Sequence, residues 1–300
     1  MKFDQTYIEI RKRNLLEIVD LSLIVIRDYF LPLSVLGLIG CIPFFIANGL
    51  LLGWLAADYY DYESLTLYCY VSALLIFSQS QIATTFITNY LGEAIFSEEP
   101  SIYKAIQNSA KLNFLHFLWI NGILRMVIPA FLIALLINAD ADDDSIVNAV
   151  AWLSIVVFVY VIARGVRPFS NEIMCLERPP VFKKQNGRIN YSLRSSSLHR
   201  AANAEIMGRF VLSSVLMVPF FIVLLGSLLI IDSMLNLHAD MDTLPIVIYF
   251  PIALWILACF FSVVRFLSYI DIRIRQEGWE VELRMRAEAI RIKGLQDQLT

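Results

Sequence analysis

The chain has 300 residues, 58% hydrophobic and 17% charged, with a formal net charge of −3. That is too apolar for an ordinary soluble domain of this length, and because the apolar residues fall in long runs a bilayer is the expected solvent. The small net charge hides a strong sidedness, so it says nothing about nucleic acid, and no nucleic-acid partner is expected.

The N-terminus carries Lys2, Asp4, Arg11, Lys12 and Arg13 and reaches no clean apolar stretch before Phe30, unlike a cleavable signal peptide. The pattern over Asn14 to Tyr29 predicts a surface helix. Asn14 with Glu17 three residues on has the spacing of a capping box, and Arg13, Glu17, Asp20 and Arg27 fall on one face. Its apolar face has two places to go: the acyl boundary of the membrane, or other helices of the same chain.

A hydrocarbon core of roughly 30 Å needs about 20 apolar helical residues. Windows of that kind are Phe30 to Ala56, Leu65 to Leu91, Phe114 to Ile137, Val147 to Ala163, Phe210 to Ile231 and Pro245 to Leu267. The expected fold is all-α: a polytopic membrane protein with six transmembrane helices in three hairpins and cytoplasmic amphipathic helices. It forms a single integral membrane domain, with a surface helix over 1–29, the spans over 30–267 and a charged helical tail over 268–300.

The segments 57–65, 138–146 and 232–243 lack Lys and Arg and hold instead Asp58, Asp61, Glu63, Asp140, Asp142, Asp143, Asp144, Asp232, Asp240 and Asp242. Positive charge near a span end resists translocation, whereas acidic residues matter little. Both termini are therefore expected in the cytoplasm, and the expected location is a bacterial inner membrane. Every basic residue except Arg125 fits this orientation.

The chain also echoes itself. Glu93 to Pro100 aligns with Glu172 to Pro179 and more loosely with Asp271 to Gly278, while Pro43, Pro129 and Pro219 occupy the first span of each hairpin. This pattern predicts three copies of one unit: a surface helix, an outward hairpin and a short inward segment. The inward stretch from Arg164 to Arg209 is the longest soluble one and is rich in Arg and Lys, with the surface helix feeding span five expected to start at Ser195. In the tail, Asp271/Arg275, Glu280/Arg284 and Glu282/Arg286 are acid-to-base pairs at i,i+4, which favours helix over the strand-like alternation of Ile270, Ile272 and Ile274.

Arg125 is the one charged side chain near the middle of a predicted span. A cation at that depth costs about a few kcal/mol or more, so it should have a partner or reach the interface. The polar groups at similar depth are Asn121 one turn earlier and, in span two, Ser78, Gln79, Ser80, Gln81, Thr84, Thr85 and Thr88. Arg125, Asn121, Gln79, Gln81, Thr84 and Thr85 are thus the candidate intramembrane polar site, either a hydrogen-bonded network that fixes helix packing or a site for an anionic headgroup or solute. A second candidate site is a cytoplasmic interface at the tail, formed by Asp271, Arg273, Arg275, Glu277, Trp279 and Glu282. The carboxylates there can pair with the basic inward stretch, or Trp279 and the arginines can rest on anionic lipid; the interleaved acids favour the pairing.

Other chemistry lacks its residues. The acidic run Asp140 to Asp144 has neither the glycine nor the terminal glutamate of an EF-hand loop. His116, His199 and His238 are isolated from one another, and Cys41, Cys69, Cys175 and Cys259 have no metal or disulfide spacing. There is no phosphate-binding loop and no nucleophile elbow. No cofactor, no metal and no enzymatic activity are expected; a cluster of Glu93, Glu98, Glu172, Glu177 and His199 around one pocket would be the arrangement to reopen that case.

The string Tyr269-x-Asp271-x-Arg273-x-Arg275-x-Glu277-Gly278-Trp279-x-Val281-Glu282-Leu283 closely resembles the tail signature of a broad set of bacterial multi-span proteins, similar to the membrane domain found with glycerophosphodiester phosphodiesterases. Asn14 to Leu21, Glu93 to Ala105 and Arg167-Pro168-Phe169 with Glu172 and Leu176-Glu177-Arg178 resemble the same pattern. The resemblance implies a helical multi-span fold and structural motifs. The phosphodiesterase domain itself is absent, so its activity is not implied. Members of this set often look like accessory membrane components encoded beside AAA-type ATPases. The expected function is a non-enzymatic membrane scaffold or accessory subunit working through its cytoplasmic face, with the bilayer and a cytoplasmic protein as partners. The alternative is a carrier or channel for a small anionic or lipidic substrate around Arg125.

Overall fold

A computed structural model describes residues 13–57, 62–96, 100–110, 165, 167–179, 190–236 and 243–276. These residues are helical, and no strand occurs among them. In chain order the helices are α1 (Leu15–Asp28), α2 (Phe30–Ala57), α3 (Tyr62–Ala83), α4 (Thr85–Phe96), α5 (Ile102–Ala110), α6 (Ser170–Glu172) running into a π-helical turn (Ile173–Glu177), α7 (Tyr191–Ala201), α8 (Asn203–Asn236) and α9 (Thr243–Gln276). Four stretches are long and apolar enough to cross a membrane: Phe30–Gly53, Ser64–Ile95, Asn203–Leu235 and Pro245–Arg275. They match the first, second, fifth and sixth predicted spans and mark the chain as membrane-associated. The windows Phe114 to Ile137 and Val147 to Ala163, which make up the second hairpin of the expected repeat and complete the six-span layout, lie outside the described residues.

α1 begins where the sequence places it, with Asn14 in extended conformation as N-cap, Glu17 in the first turn and Arg27 in the last, each charge favourable to the helix dipole. The Asn14 side chain makes no capping hydrogen bond, so the reciprocal capping box is not formed. Between α1 and α2 the chain bends at Tyr29 but does not form a loop: the Tyr29 N–H reaches the Val25 carbonyl at 3.0 Å and the Leu33 N–H reaches that of Tyr29 at 3.1 Å. Of the two places open to the apolar face of α1, Leu15, Ile18 and Val19 take the protein interior. They join Leu33 and Leu36 of α2, Ile87, Tyr90 and Leu91 of α4, and Val263, Val264, Phe266 and Leu267 of α9 in one cluster. Leu16, Leu23 and Ile24 remain exposed.

The second apolar stretch is broken at Thr84, which separates α3 from α4. Hydroxyl groups bracket the break by donating back along the helix, Thr84 to Ser80 O at 2.7 Å, Thr85 to Gln81 O at 3.0 Å and Thr88 to Thr84 O at 3.2 Å. Such back-bonds compete with the ladder and bend helices. The break also brings the Ala83 carbonyl against α2, where a Cβ on Gly40 would sit 2.0 Å from that oxygen. Only glycine permits this approach. In the most apolar stretch of Ser64–Ile95 most residues are buried, whereas in that of Asn203–Leu235 none is, so α3 and α4 form the centre of the described bundle and α8, beyond Ile206 and Arg209, its outer wall.

At the end of the bundle where α1 lies, Phe169, Ile173, Met174 and Cys175 bury against Leu198 of α7, Ile206 of α8 and Tyr269 and Ile272 of α9. The π-helical turn ends at Arg178, whose φ of 48° puts a non-glycine residue in the left-handed region, and Pro179 prevents the helix from continuing. α7 starts at Tyr191 and not at Ser195, because Asn190 takes the extended N-cap conformation four residues earlier than the sequence suggests. Ile270, Ile272 and Ile274 belong to α9, so helix prevails over the strand-like alternation as far as Gln276.

Candidate functional site

The last turns of α9 carry alternating charges, and each described one meets a group from a distant part of the chain. Asp271 accepts from Nη2 of Arg209 at 2.7 Å, with side chains only 7% and 8% exposed. Arg209 Nη2 also contacts Glu205 at 2.8 Å and the Arg13 carbonyl at 3.0 Å, which ties the start of α1 to α8. Arg275 binds Glu205 at 2.6 Å and its own i−4 neighbour Asp271 at 3.1 Å. The nearby guanidinium groups would be costly at this depth without their acids, and the acids equally without them.

A second set centres on the segment 172–177. Glu172 is fully buried and accepts from Nε of Arg265 at 2.5 Å. Glu177 accepts from both Arg194 of α7, with Nη2 at 3.0 Å, and the Tyr269 hydroxyl at 2.6 Å, and Arg273 lies 3.7 Å away. Phe169 packs between His199 and Tyr269, with ring centroids 5.8 and 5.9 Å apart. The His199 Nδ1–H donates to the Ser195 carbonyl at 2.7 Å. Phe169 and Tyr269 thus stand between His199 and Glu177, and both acids are held by arginines. Glu93 faces Lys104 at 3.7 Å, and Glu98 lies outside the described residues. Burial, with the negative charge of Glu172 beside it, pushes the Cys175 thiol up, so this cysteine is a packed apolar group and not a nucleophile.

Of the tail residues expected at an interface, Asp271, Arg273 and Arg275 are thus committed to contacts within the chain, and Asp271 does pair with the inward stretch, at Arg209. Glu277, Trp279 and Glu282 lie outside the described residues.

The polar strip of the second span is buried as expected for Gln79, Gln81, Thr84 and Thr85. Its described cross-helix partner is one the sequence did not single out. Asn48 of α2 and Gln79 exchange two amide hydrogen bonds at 2.8 and 2.7 Å. The available signal was that Asn48 is the one amide side chain in α2. Arg125 and Asn121 lie outside the described residues. Beside the strip, between α3, α8 and α9, is a cavity of about 130 Å³ that reaches Ser80, Gln81, Arg209 and Arg265.

Together the apolar helices and the layer of paired charges define a helical membrane-associated protein whose bundle is locked at one end by arginine–carboxylate contacts. Comparison of the chain with protein-family models, with curated proteins and with solved structures found no match.

Proposed function

We propose that the chain is a non-enzymatic integral membrane scaffold or accessory subunit of a membrane complex, acting through its cytoplasmic face. In this reading six spans form three hairpins in a bacterial inner membrane, with both termini in the cytoplasm. The observation that supports it most is the charged layer linking α1, the segment 172–177, α7, α8 and α9. Its acids are spent on arginines within the chain, which makes this end a fixed platform. Around it Tyr103, Arg27 and Lys104 are exposed and available to a partner. The basic inward segments and the acidic outward ones support the orientation.

The experiment is affinity purification of the full chain in mild detergent after side-specific cross-linking on cells. A stoichiometric partner cross-linked at Tyr103 or Lys104 is the expected result. A chain that comes out alone under every condition, or cross-links confined to the outer side, would overturn the reading. Orientation is checked separately with Asp142→Cys, which should react with an impermeant maleimide only from outside.

A further inference from the structure

α1 has two apolar faces. Leu15, Ile18, Val19 and Ser22 on its inner side are buried, while Leu16, Leu23 and Ile24 on its outer side are 60%, 48% and 49% exposed. At 3.6 residues per turn these three fall within about 100° of one another, opposite Ile18. The bend at Tyr29 keeps the i−4 hydrogen bonds on both of its sides, from Tyr29 to Val25 and from Leu33 to Tyr29, so the rotational register of α1 carries into α2. Leu31, Val35, Leu38 and Ile42 of α2, all exposed, continue the outer face of α1, just as Leu33 and Leu36 continue its buried one. They belong to the apolar span Phe30–Gly53, where exposed leucine and isoleucine meet acyl chains. The outer face of α1 is therefore continuous with a lipid-facing one.

The neighbours of α1 give the direction of that face. Leu15, Ile18 and Val19 share a cluster with Val263, Val264, Phe266 and Leu267 of α9, and α9 runs on from Leu267 to Gln276, about 14 Å further. At its start α1 reaches α8, where Arg209 holds the Arg13 carbonyl at 3.0 Å, and its end leads into α2. It thus lies across the flank of the bundle, from α8 past α9 and α4 to α2, short of the end of α9. Its outer face looks sideways, not along the bundle axis.

The charges on this face set its depth. Asp20, Arg27 and Asp28 are exposed there, the last two paired at 3.3 Å. Ionised groups stay among headgroups and water, so the apolar side chains between them enter no deeper than the boundary of the acyl region. With two acids against one arginine, the face has no cationic excess to select anionic lipid.

We propose that α1 is an in-plane membrane anchor, whose Leu16, Leu23 and Ile24 insert into the acyl–headgroup boundary of the leaflet beside the charged layer, with no preference for an anionic headgroup. This goes beyond the scaffold role. It assigns the surface that levels the charged layer against the bilayer, and it leaves Tyr103 and Lys104 to a protein partner. A chain that had no such partner would still anchor in this way.

The test uses the full chain in nanodiscs of phosphatidylcholine, and again with phosphatidylglycerol added. Nitroxide labels are placed singly at Leu16→Cys, Leu23→Cys, Ile24→Cys and, as a lipid reference, Leu38→Cys, with Cys41, Cys69, Cys175 and Cys259 replaced by alanine. Power saturation then compares collisions with oxygen and with a water-soluble nickel chelate. The three α1 labels should favour oxygen in both lipids and share a depth of about 5–10 Å, with Leu38→Cys deeper. A helix standing along the bundle axis would separate Leu16 from Leu23 by about 10 Å in depth. Such a separation, preference for the chelate, shielding from both reagents, or insertion only with phosphatidylglycerol would each overturn the proposal. If the chain without its native cysteines does not fold, benzoylphenylalanine at Leu23 of the otherwise native chain decides. A lipid adduct by mass spectrometry is the expected result, and an adduct with a polypeptide, or none with lipid, overturns the anchor in favour of a face covered by protein.

Discussion

Asn48 of α2 and Gln79 of α3 form a closed amide pair, each side chain donating to the other's carbonyl, at 2.8 and 2.7 Å. Within apolar spans neither group has water to fall back on, so the pair fixes both the rotation and the axial register of α2 against α3. Interhelical hydrogen bonds in membranes are worth about 0.6 kcal/mol on average and up to about 1.7. Asn48→Leu or Gln79→Leu alone should cost about 1–2 kcal/mol, because each leaves a buried amide unsatisfied. The double variant should cost less than the sum of the two. Unfolding by denaturing detergent in a double-mutant cycle measures this, and strict additivity would contradict the pairing.

The Glu172 to Arg265 contact has different energetics. A fully buried carboxylate and its guanidinium contribute little net stability, yet breaking such a pair from one side costs about 3–5 kcal/mol. Glu172→Leu is therefore expected to lower the thermal midpoint sharply, while Glu172→Leu with Arg265→Met recovers most of it. Identical losses in the single and double variants would show that the contact itself is not what matters.

Gly40 and Gly49 lie on the same helix with opposite surroundings. A Cβ on Gly40 meets the Ala83 carbonyl oxygen at 2.0 Å and its carbon at 2.9 Å, both backbone atoms, whereas on Gly49 it meets nothing within 4 Å. Gly40→Ala should force α2 away from the α3–α4 break and cost about 3 kcal/mol or more, while Gly49→Ala should be neutral or slightly stabilising. The yield of monodisperse protein and its unfolding midpoint distinguish them. Equal behaviour of the two variants would rule out the close approach.

The cysteines offer a chemical check on packing. Cys41 of α2 and Cys259 of α9 have their sulfur atoms 3.6 Å apart. Mild copper–phenanthroline oxidation should join them, giving one disulfide-linked peptide pair by mass spectrometry. Cys175 is 2% exposed and its thiol is pushed up by burial, so it should resist maleimide until the protein is denatured. Rapid labelling of Cys175 in the folded protein would contradict the packing of the π-helical turn.

What could be foreseen from the sequence follows from how strongly each feature is dictated locally. Four of the apolar windows correspond to long helices, since a backbone in hydrocarbon has to satisfy its hydrogen bonds within the segment. The continuation of α9 to Gln276 was legible because Asp271 and Arg275 are spaced for one helix face. The π-helical turn was not, because nothing in Ile173 to Glu177 locally prefers it; it is set by packing against α7 and α9. For the polar strip, burial of Gln79, Gln81, Thr84 and Thr85 was foreseeable, but the choice of Asn48 depends on the rotation of α2. Pairing of the tail carboxylates with the basic inward stretch was foreseeable, but the choice of Arg209 for Asp271, 62 positions away, depends on the tertiary fold.

The contact of Arg209 with the Arg13 carbonyl joins the first described residue to a helix near the far end of the chain. α1 likewise buries Leu15 and Ile18 against α9. During synthesis α1 therefore waits, with part of its apolar face uncovered, until α8 and α9 have left the ribosome. Emergence of α8 and α9 thereby becomes the condition for covering α1. A product truncated before α9 would retain an open apolar seam along α1 and α4, a ready mark for membrane proteolysis.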